Sequence, residues 1–262
     1  MNTVVSADGT VLACSVTGSG PAVVLVDGAL CHRGMGPGAA IAEQLAAHHT
    51  VWTYDRRGRG GSGDTAPFAV EREIEDLAAV IAAAGGSAHV LAVSSGGALA
   101  LRAAATNVGI SRLAVYEVPF STGEARRERF DAYVAELTAA LAEGRHGDAV
   151  AALMVFAGAP AEMVAGMRGA PMWPAFEAVA PTLAYDAAAL GDRSGAAVPV
   201  DLLATVAVPT LVLDGGASPE TLRAPARAVA AAVPGAEYRT LDGQTHEVAA
   251  EVLAPELLKF YV

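Results

Sequence analysis

A serine hydroxyl attacks a carbonyl only when it is lifted clear of the backbone and a base stands by to take its proton. The run His89-Val-Leu-Ala-Val-Ser-Ser-Gly-Gly-Ala-Leu-Ala-Leu101 meets the first condition. An apolar strand-type stretch, Val90 to Val93, turns abruptly at Ser94 into an alanine-rich helical pattern. So tight a strand-to-helix turn pushes the serine outward and needs small residues two before and two after it, here Ala92 and Gly96. The helix beginning there directs backbone N–H groups and its positive dipole end at the hydroxyl. Ser95 is the rival, but it would put β-branched Val93 at the crowded position, so Ser94 is the better nucleophile. The plain alternative is a glycine-softened helix start capped by its serines.

The second condition points to His246, in the polar turn Leu241-Asp-Gly-Gln-Thr-His-Glu-Val between the last strand and the last helix. Turns at the carboxyl ends of parallel strands converge on one crevice, the edge that also displays Ser94. His89 opens a strand and belongs at the opposite edge, while His32 lies just past the first apolar strand, where it can line a site.

The elements that would hold these residues follow from pattern. Val4-Val5 and Val11 to Val16 flank the Asp8-Gly9 turn signal and form a hairpin. Apolar, unalternating strands recur at 22–26, 51–54, 90–93, 113–116 and 209–213, with a further strand near 238–241. Amphipathic helices separate them, as at Val70 to Ala84, where Ile74, Leu77, Val80 and Ile81 share a face. That alternation specifies an α/β class with a doubly wound, mostly parallel sheet covered on both faces. It breaks between about 121 and 200, where only helical segments and Pro/Gly breaks occur. The expected organisation is therefore a core of residues 1–120 and 201–262 with a helical lid insertion, 121–200. The lid concentrates Met154, Phe156, Met163, Met167, Met172, Trp173, Phe176 and Tyr185. These suit either lid packing or the lining of an acyl or aromatic pocket, for which Leu30, His32, Met154, Trp173 and Phe176 are the candidates.

Composition narrows the classes. With 262 residues and 53% hydrophobic content the chain folds as one large domain, or one domain plus lid. A net charge of −11 argues against nucleic acid and anionic membrane surfaces as partners. No apolar run reaches the roughly 20 residues of a membrane span, and no basic-then-apolar leader opens the chain, so a cytoplasmic protein is expected. Cys14 and Cys31 provide neither a disulfide framework nor a zinc pattern. No metal and no cofactor is expected; the glycine-rich stretches match neither a dinucleotide fingerprint nor a P-loop. Lys259, the only lysine, is three residues from the end of the chain, a poor place for Schiff-base chemistry. The expected partner is a small-molecule substrate, with the protein a monomer or homodimer.

In order, the hairpin, the strand ending in Asp27-Gly28, Asp55-x-Arg57-Gly58-x-Gly60-x-Ser62, the Ser94 turn, the helical insertion and Gly243-x-x-His246 resemble the α/β-hydrolase superfamily over essentially the whole chain. The resemblance implies the α/β-hydrolase fold, the chain order serine–acid–histidine, and an oxyanion hole from the Ala29 and Ser95 amides. It also exposes two departures. Asp27 stands where the superfamily usually has histidine; it either braces the loop or handles protons. The acid is displaced too: in Asp214-Gly-Gly-Ala-Ser-Pro219, Ser218 occupies its usual place. Asp214 can serve, though it sits early. The acid can be absent. Or it comes from the strand after the elbow, as in some members, where Glu117 ends an apolar strand before Val118-Pro119. Glu117 is preferred. Asp55, Arg57 and Ser62 read as braces of a tight loop, and Arg56, Arg57 and Arg59 as a solvated, internally paired set.

The resulting expectation is a serine hydrolase cleaving a carboxylic ester or lactone of a small, largely apolar substrate through Ser94, His246 and Glu117. Two alternatives stay open: a lyase, cyclase or perhydrolase-like enzyme on the same scaffold, or a non-catalytic ligand-binding member. Dehalogenase and epoxide-hydrolase chemistry are disfavoured, since both require an aspartate where Ser94 stands.

Overall fold

Adjacent residues of the central strands are apolar in both parities, so each strand must bury both faces. In the computed structural model, which describes residues 2–262, they do. Val24, Val90, Val115 and Val212 pack into one core, and Leu25, Leu91, Ala114 and Leu213 into the other. The strands are β1 (Asn2–Val5), β2 (Val11–Gly18), β3 (Ala22–Val26), β4 (Thr50–Tyr54), β5 (Ala88–Val93), β6 (Ile110–Tyr116), β7 (Thr210–Gly215) and β8 (Glu237–Leu241). They form one sheet in the order β1-β2-β4-β3-β5-β6-β7-β8. The pairs β1–β2 and β2–β4 are antiparallel and all others parallel.

Helices α1 (Gly38–Leu45), α2 (Val70–Ala83) and α3 (Ser95–Ala104) lie between the early strands. Between β6 and β7 the chain is helical: α4 (Glu124–Ala142), α5 (His146–Ala157), α6 (Ala161–Met167), α7 (Trp173–Val179), α8 (Leu183–Leu190) and α9 (Val200–Leu203), with a 3₁₀ turn at Ala180–Thr182. The last helices are α10 (Glu220–Ala232) and α11 (Ala250–Phe260). Ile41 and Leu45 of α1 meet Leu253, Leu257 and Phe260 of α11 on one side of the sheet, while Leu77, Val80 and Ile81 of α2 and Leu99 of α3 cover the other. None of these helices is both long and apolar enough to cross a membrane.

Because β3, β4, β5, β6, β7 and β8 run parallel, their carboxyl ends share one edge. Three of the five non-glycine residues with positive φ sit just past those ends: Leu30 (φ 60°) after β3, Ser94 (φ 56°) after β5 and Glu117 (φ 46°) after β6. Such conformations cost roughly 1–3 kcal/mol each and persist only where surrounding structure enforces them. Their alignment on one edge marks it as the functional one. His89 is at the far edge, stacked on Tyr261 at 4.7 Å.

Candidate active site

Ser94 has φ 56° and ψ −131° and joins β5 directly to α3. The turn is held by extension of the strand ladder, as the Ser94 N–H donates to Tyr116 O at 2.9 Å. Its two glycines are dictated by contact. A Cβ on Gly96 would lie 2.6 Å from both Val26 O and Asp27 O, and one on Gly28 would lie 2.8 Å from the Ser94 Cβ. The elbow is thus pressed against the end of β3, bringing Ala29 beside Ser94. The Ser95 hydroxyl is buried and donates to Asp186 Oδ1 at 2.8 Å, which distinguishes it from Ser94.

Glu117 is fully buried, and its carboxylate has two partners. Oε1 accepts the Gly215 N–H at 2.8 Å, and Oε2 lies 2.8 Å from His246 Nδ1. A carboxylate at Nδ1 places the ring proton there and leaves Nε2 as the basic nitrogen. The His246 loop is pinned from below, where the Tyr116 hydroxyl donates to Thr245 O at 2.5 Å. Asp214 is turned elsewhere: its Oδ2 accepts from Tyr238 OH at 2.7 Å and Arg223 Nε at 3.1 Å. Asp214 is still inside β7, next to its last residue, and is aimed at the neighbouring strand and α10, whereas Glu117 lies one residue past β6 and turns back toward the histidine loop.

Ser94 and His246 line two adjoining cavities, as does Ala29. One, of about 430 Å³, runs past Leu30, Cys31, Met35, Phe176 and Val248. The other, of about 290 Å³, lies under α4, α5 and α8 and is walled by Phe130, Tyr133, Leu153, Phe156 and Leu190. Of the pocket candidates read from the sequence, Leu30 and Phe176 line the first cavity. His32, Met154 and Trp173 line neither cavity. His32 Nδ1 accepts its own loop's Gly34 N–H at 3.1 Å. The Trp173 indole donates to Glu177 Oε1, one turn along α7, at 2.9 Å. On α5, Leu153, Phe156 and Ala157 face the cavity and Met154, some 100° round the helix, does not. Burial pushes the Cys31 thiol pKa up to about 12, so it stays protonated filler.

The arginines contradict the sequence reading of a solvated set: Arg56, Arg57 and Arg59 are at most 2% exposed. Arg57 is paired with Asp76 and Asp8. Arg56 binds Glu73 through Nε and Nη2, both at 2.8 Å, and Asp186 through Nη1 at 2.6 Å. Arg59 binds Asp186 Oδ2 at 2.7 Å. Sequence analysis missed Asp186, although an aspartate among the alanines and leucines of α8 is itself the sign of a buried charge. Burial alone would raise its pKa, but the Arg59 and Arg56 guanidiniums beside it outweigh that and hold it below the ordinary carboxylate value.

This network grips the turn after β3. Arg59 Nη1 donates to Gly28 O at 2.6 Å and Cys31 O at 3.3 Å, and Arg56 Nη1 to Asp27 O at 3.3 Å. In a planar trans peptide the C=O and the following N–H point in opposite directions. Arg59 therefore fixes the direction of the Ala29 N–H, and Asp186 fixes Ser95 through its hydroxyl. Both amides expected to meet an oxyanion are thus held through one carboxylate.

Asp55 braces the neighbouring loop as the spacing suggests, accepting the Arg33 N–H at 2.7 Å and the Gly61 N–H at 2.8 Å, while Ser62 Oγ donates to Asp55 O. Asp27 lies behind the oxyanion turn against Gly38 of α1 and lines neither cavity. Burial raises its pKa to about 6, against the pull of Arg59 and Arg56. Among the described residues no three His, Cys, Asp or Glu side chains come together as a metal site.

Known proteins resemble this chain in sequence and in fold. A family model described as the alpha/beta hydrolase family matches residues 23–256. An alpha/beta hydrolase from Sphaerobacter thermophilus DSM 20745, known from its crystal structure, is 51% identical, with 100% of each chain covered and a TM-score of 0.89. An enol-lactonase from Burkholderia xenovorans LB400 shares the fold at 22% identity, with 99% of each chain covered and a TM-score of 0.72. A pimeloyl-[acyl-carrier protein] methyl ester esterase from Xylella fastidiosa (strain 9a5c) is 44% identical over 92 residues, 35% of this chain and 34% of that one. The match to this curated relative thus spans about a third of its length. Eight strands in this order, an elbow serine on the third strand of the parallel series, and a family match over most of the sequence together show that the chain belongs to the alpha/beta hydrolase family.

Proposed function

We propose that the protein hydrolyses a carboxylic ester or lactone through an acyl-enzyme on Ser94. The observation that carries this reading is the 2.8 Å contact between buried Glu117 and His246 Nδ1, with the histidine and Ser94 lining the same two cavities. In the reaction, Ser94 Oγ attacks the carbonyl carbon as His246 Nε2 takes its proton. The carbonyl oxygen gains charge between the Ala29 and Ser95 amides, a preorganised arrangement typically worth ~3–4 kcal/mol per donor. The tetrahedral intermediate collapses, His246 returns the proton to the leaving oxygen, and water repeats the sequence to release the acid. Glu117 keeps Nδ1 protonated and stabilises the imidazolium that forms in each half-reaction.

Two cavities meeting at Ser94 suit a substrate with a group on either side of the scissile bond. Their walls are largely aliphatic and aromatic, which suits a small, mostly apolar molecule. The helical stretch between β6 and β7 acts as a lid, since Phe130, Tyr133, Phe156 and Leu190 from it close one cavity. The names of the relatives, an esterase and an enol-lactonase, point to the same bond type.

The test is turnover of a panel of short methyl and aryl esters and of five- to seven-membered lactones by the wild type and Ser94→Ala. The expected result is turnover by the wild type and a fall in kcat of at least about 10³-fold in the variant. Equal rates in the two proteins would sink the reading.

A further inference from the structure

The inward stripe of α4 is Phe130, Tyr133 and Leu137, buried at helical spacing. Arg126 falls on the same stripe, four residues before Phe130. It is half-buried, while Arg127, Glu128 and Arg129 beside it are exposed. A surface arginine would not lie here.

Its surroundings leave its charge uncompensated. The guanidinium carbon lies 4.0 Å from the centroid of the Phe156 ring, and Nη1 donates to Phe156 O at 3.2 Å. Nε is enclosed and has no hydrogen-bond partner. Burial, then the like charge of Arg129, pulls the pKa of Arg126 below the ordinary arginine value, and no carboxylate is paired with it among the described residues. The fully buried Arg56, Arg57 and Arg59 each have at least one carboxylate. Arg102, half-buried like Arg126, forms no ion pair among the described residues, but it donates to Ala189 O, away from the cavity that holds Ser94. A desolvated cation without an anion is costly, and the remedy is either a partner from the protein or one from a ligand. Arg126 lines the cavity that holds Ser94, so a ligand can supply it.

Tyr133 lies two turns along the same face of α4 from Arg126 and lines the same cavity, enclosed by the protein and with no hydrogen bond among the described residues. Arg126 and the Tyr133 hydroxyl share a cavity whose other polar lining is Ser94, Ser95, Asp186, Thr221, His246 and Glu247. Asp186 is already paired with Arg56 and Arg59. The cation and hydroxyl donor under α4 therefore match a single planar anion better than a phosphate, which needs more donors.

We infer that Arg126, with the Tyr133 hydroxyl, is a carboxylate-binding subsite, and that the substrate carries a free acid group at the end of the portion that lies under α4, α5 and α8. This rests on the hydrolase reading of Ser94 for turnover, but not for binding. The substrate class becomes a half-ester of a dicarboxylic acid, or a lactone bearing a carboxylate, with an apolar spacer between the reacting carbonyl and the acid.

The experiment compares kcat/KM for monomethyl esters of straight-chain dicarboxylic acids of four to eight carbons with that for methyl esters of the equally long monocarboxylic acids. It uses wild type, Arg126→Met and Arg126→Gln. In parallel, the thermal shifts caused by the free dicarboxylates and monocarboxylates are recorded. One charge-assisted contact is worth roughly 10- to 100-fold. The expected result is a preference of that size for one chain length in the wild type, lost in both variants and carried mainly by KM. The same dicarboxylate should raise the wild-type Tm, and its monoacid counterpart should not. A wild-type ratio near one at every length, with no selective thermal shift, overturns the inference even if the variants misfold. A preference that survives both substitutions overturns it as well. If no ester is turned over but a dicarboxylate stabilises the wild type and neither variant, the subsite stands and the hydrolase reading of Ser94 fails.

Discussion

Glu117→Gln is expected to lower kcat by about 10³- to 10⁴-fold with little change in KM, the scale seen when the carboxylate of a serine–histidine–acid set is made neutral. The amide keeps the shape and can still accept the Gly215 N–H, so the fold is retained. What is lost is the negative charge that stabilises an imidazolium. The amide can also present N–H to Nδ1, favouring the ring tautomer whose proton is on Nε2 and which cannot accept from Ser94. Asp214→Asn provides the contrast. That carboxylate bonds Tyr238 and Arg223, so its loss should destabilise the protein while kcat stays within about threefold. Steady-state kinetics of the two variants decides between the acids. A large fall in kcat for Asp214→Asn and a small one for Glu117→Gln would reverse the assignment.

Asp186→Asn is expected to have the largest effect on stability, about 3–5 kcal/mol, because it removes one partner of a buried charge cluster. Arg56 would keep Glu73, but Arg59 would lose the one carboxylate it is paired with. A urea titration measures the loss as a lower midpoint at unchanged slope. The folded fraction should also lose activity, since Arg59 no longer holds the Gly28 carbonyl and Ser95 loses its acceptor. The pH dependence has a definite sign. The folded pKa of Asp186 is depressed, so its contribution is present above the unfolded value of about 3.9 and is lost as pH falls through the lower folded value. Equal urea midpoints for wild type and variant at pH 7 would contradict the assignment.

Much of this was legible because local constraints and tertiary ones agree. Strands apolar in both parities can only be parallel and covered, and a small–x–Ser–x–Gly step between strand and helix has few other uses. Glu117 stood out as a charge ending an apolar strand. The buried arginines did not. Three arginines among glycines look solvated unless Asp186, 127 residues beyond Arg59, is known to return to them. Only tertiary folding brings that partner back. The cavity lining failed for a different reason. Helix α5 is apolar nearly all round, from Ala149 to Ala157, so hydrophobicity carries no phase. Met154 and Leu153 are indistinguishable in sequence, and packing against α4 and α7 alone turns Leu153 and Phe156 inward.

The central claim is that Ser94 is an activated nucleophile, and covalent labelling tests it most directly. The purified protein is incubated with a fluorophosphonate, and the modified peptide is identified by mass spectrometry. The account predicts one phosphonyl group per chain, on Ser94, formed at a rate that falls steeply in His246→Ala. Labelling of Ser95 instead, or a folded protein that stays unmodified while a neutral ester of the same size binds, would contradict it.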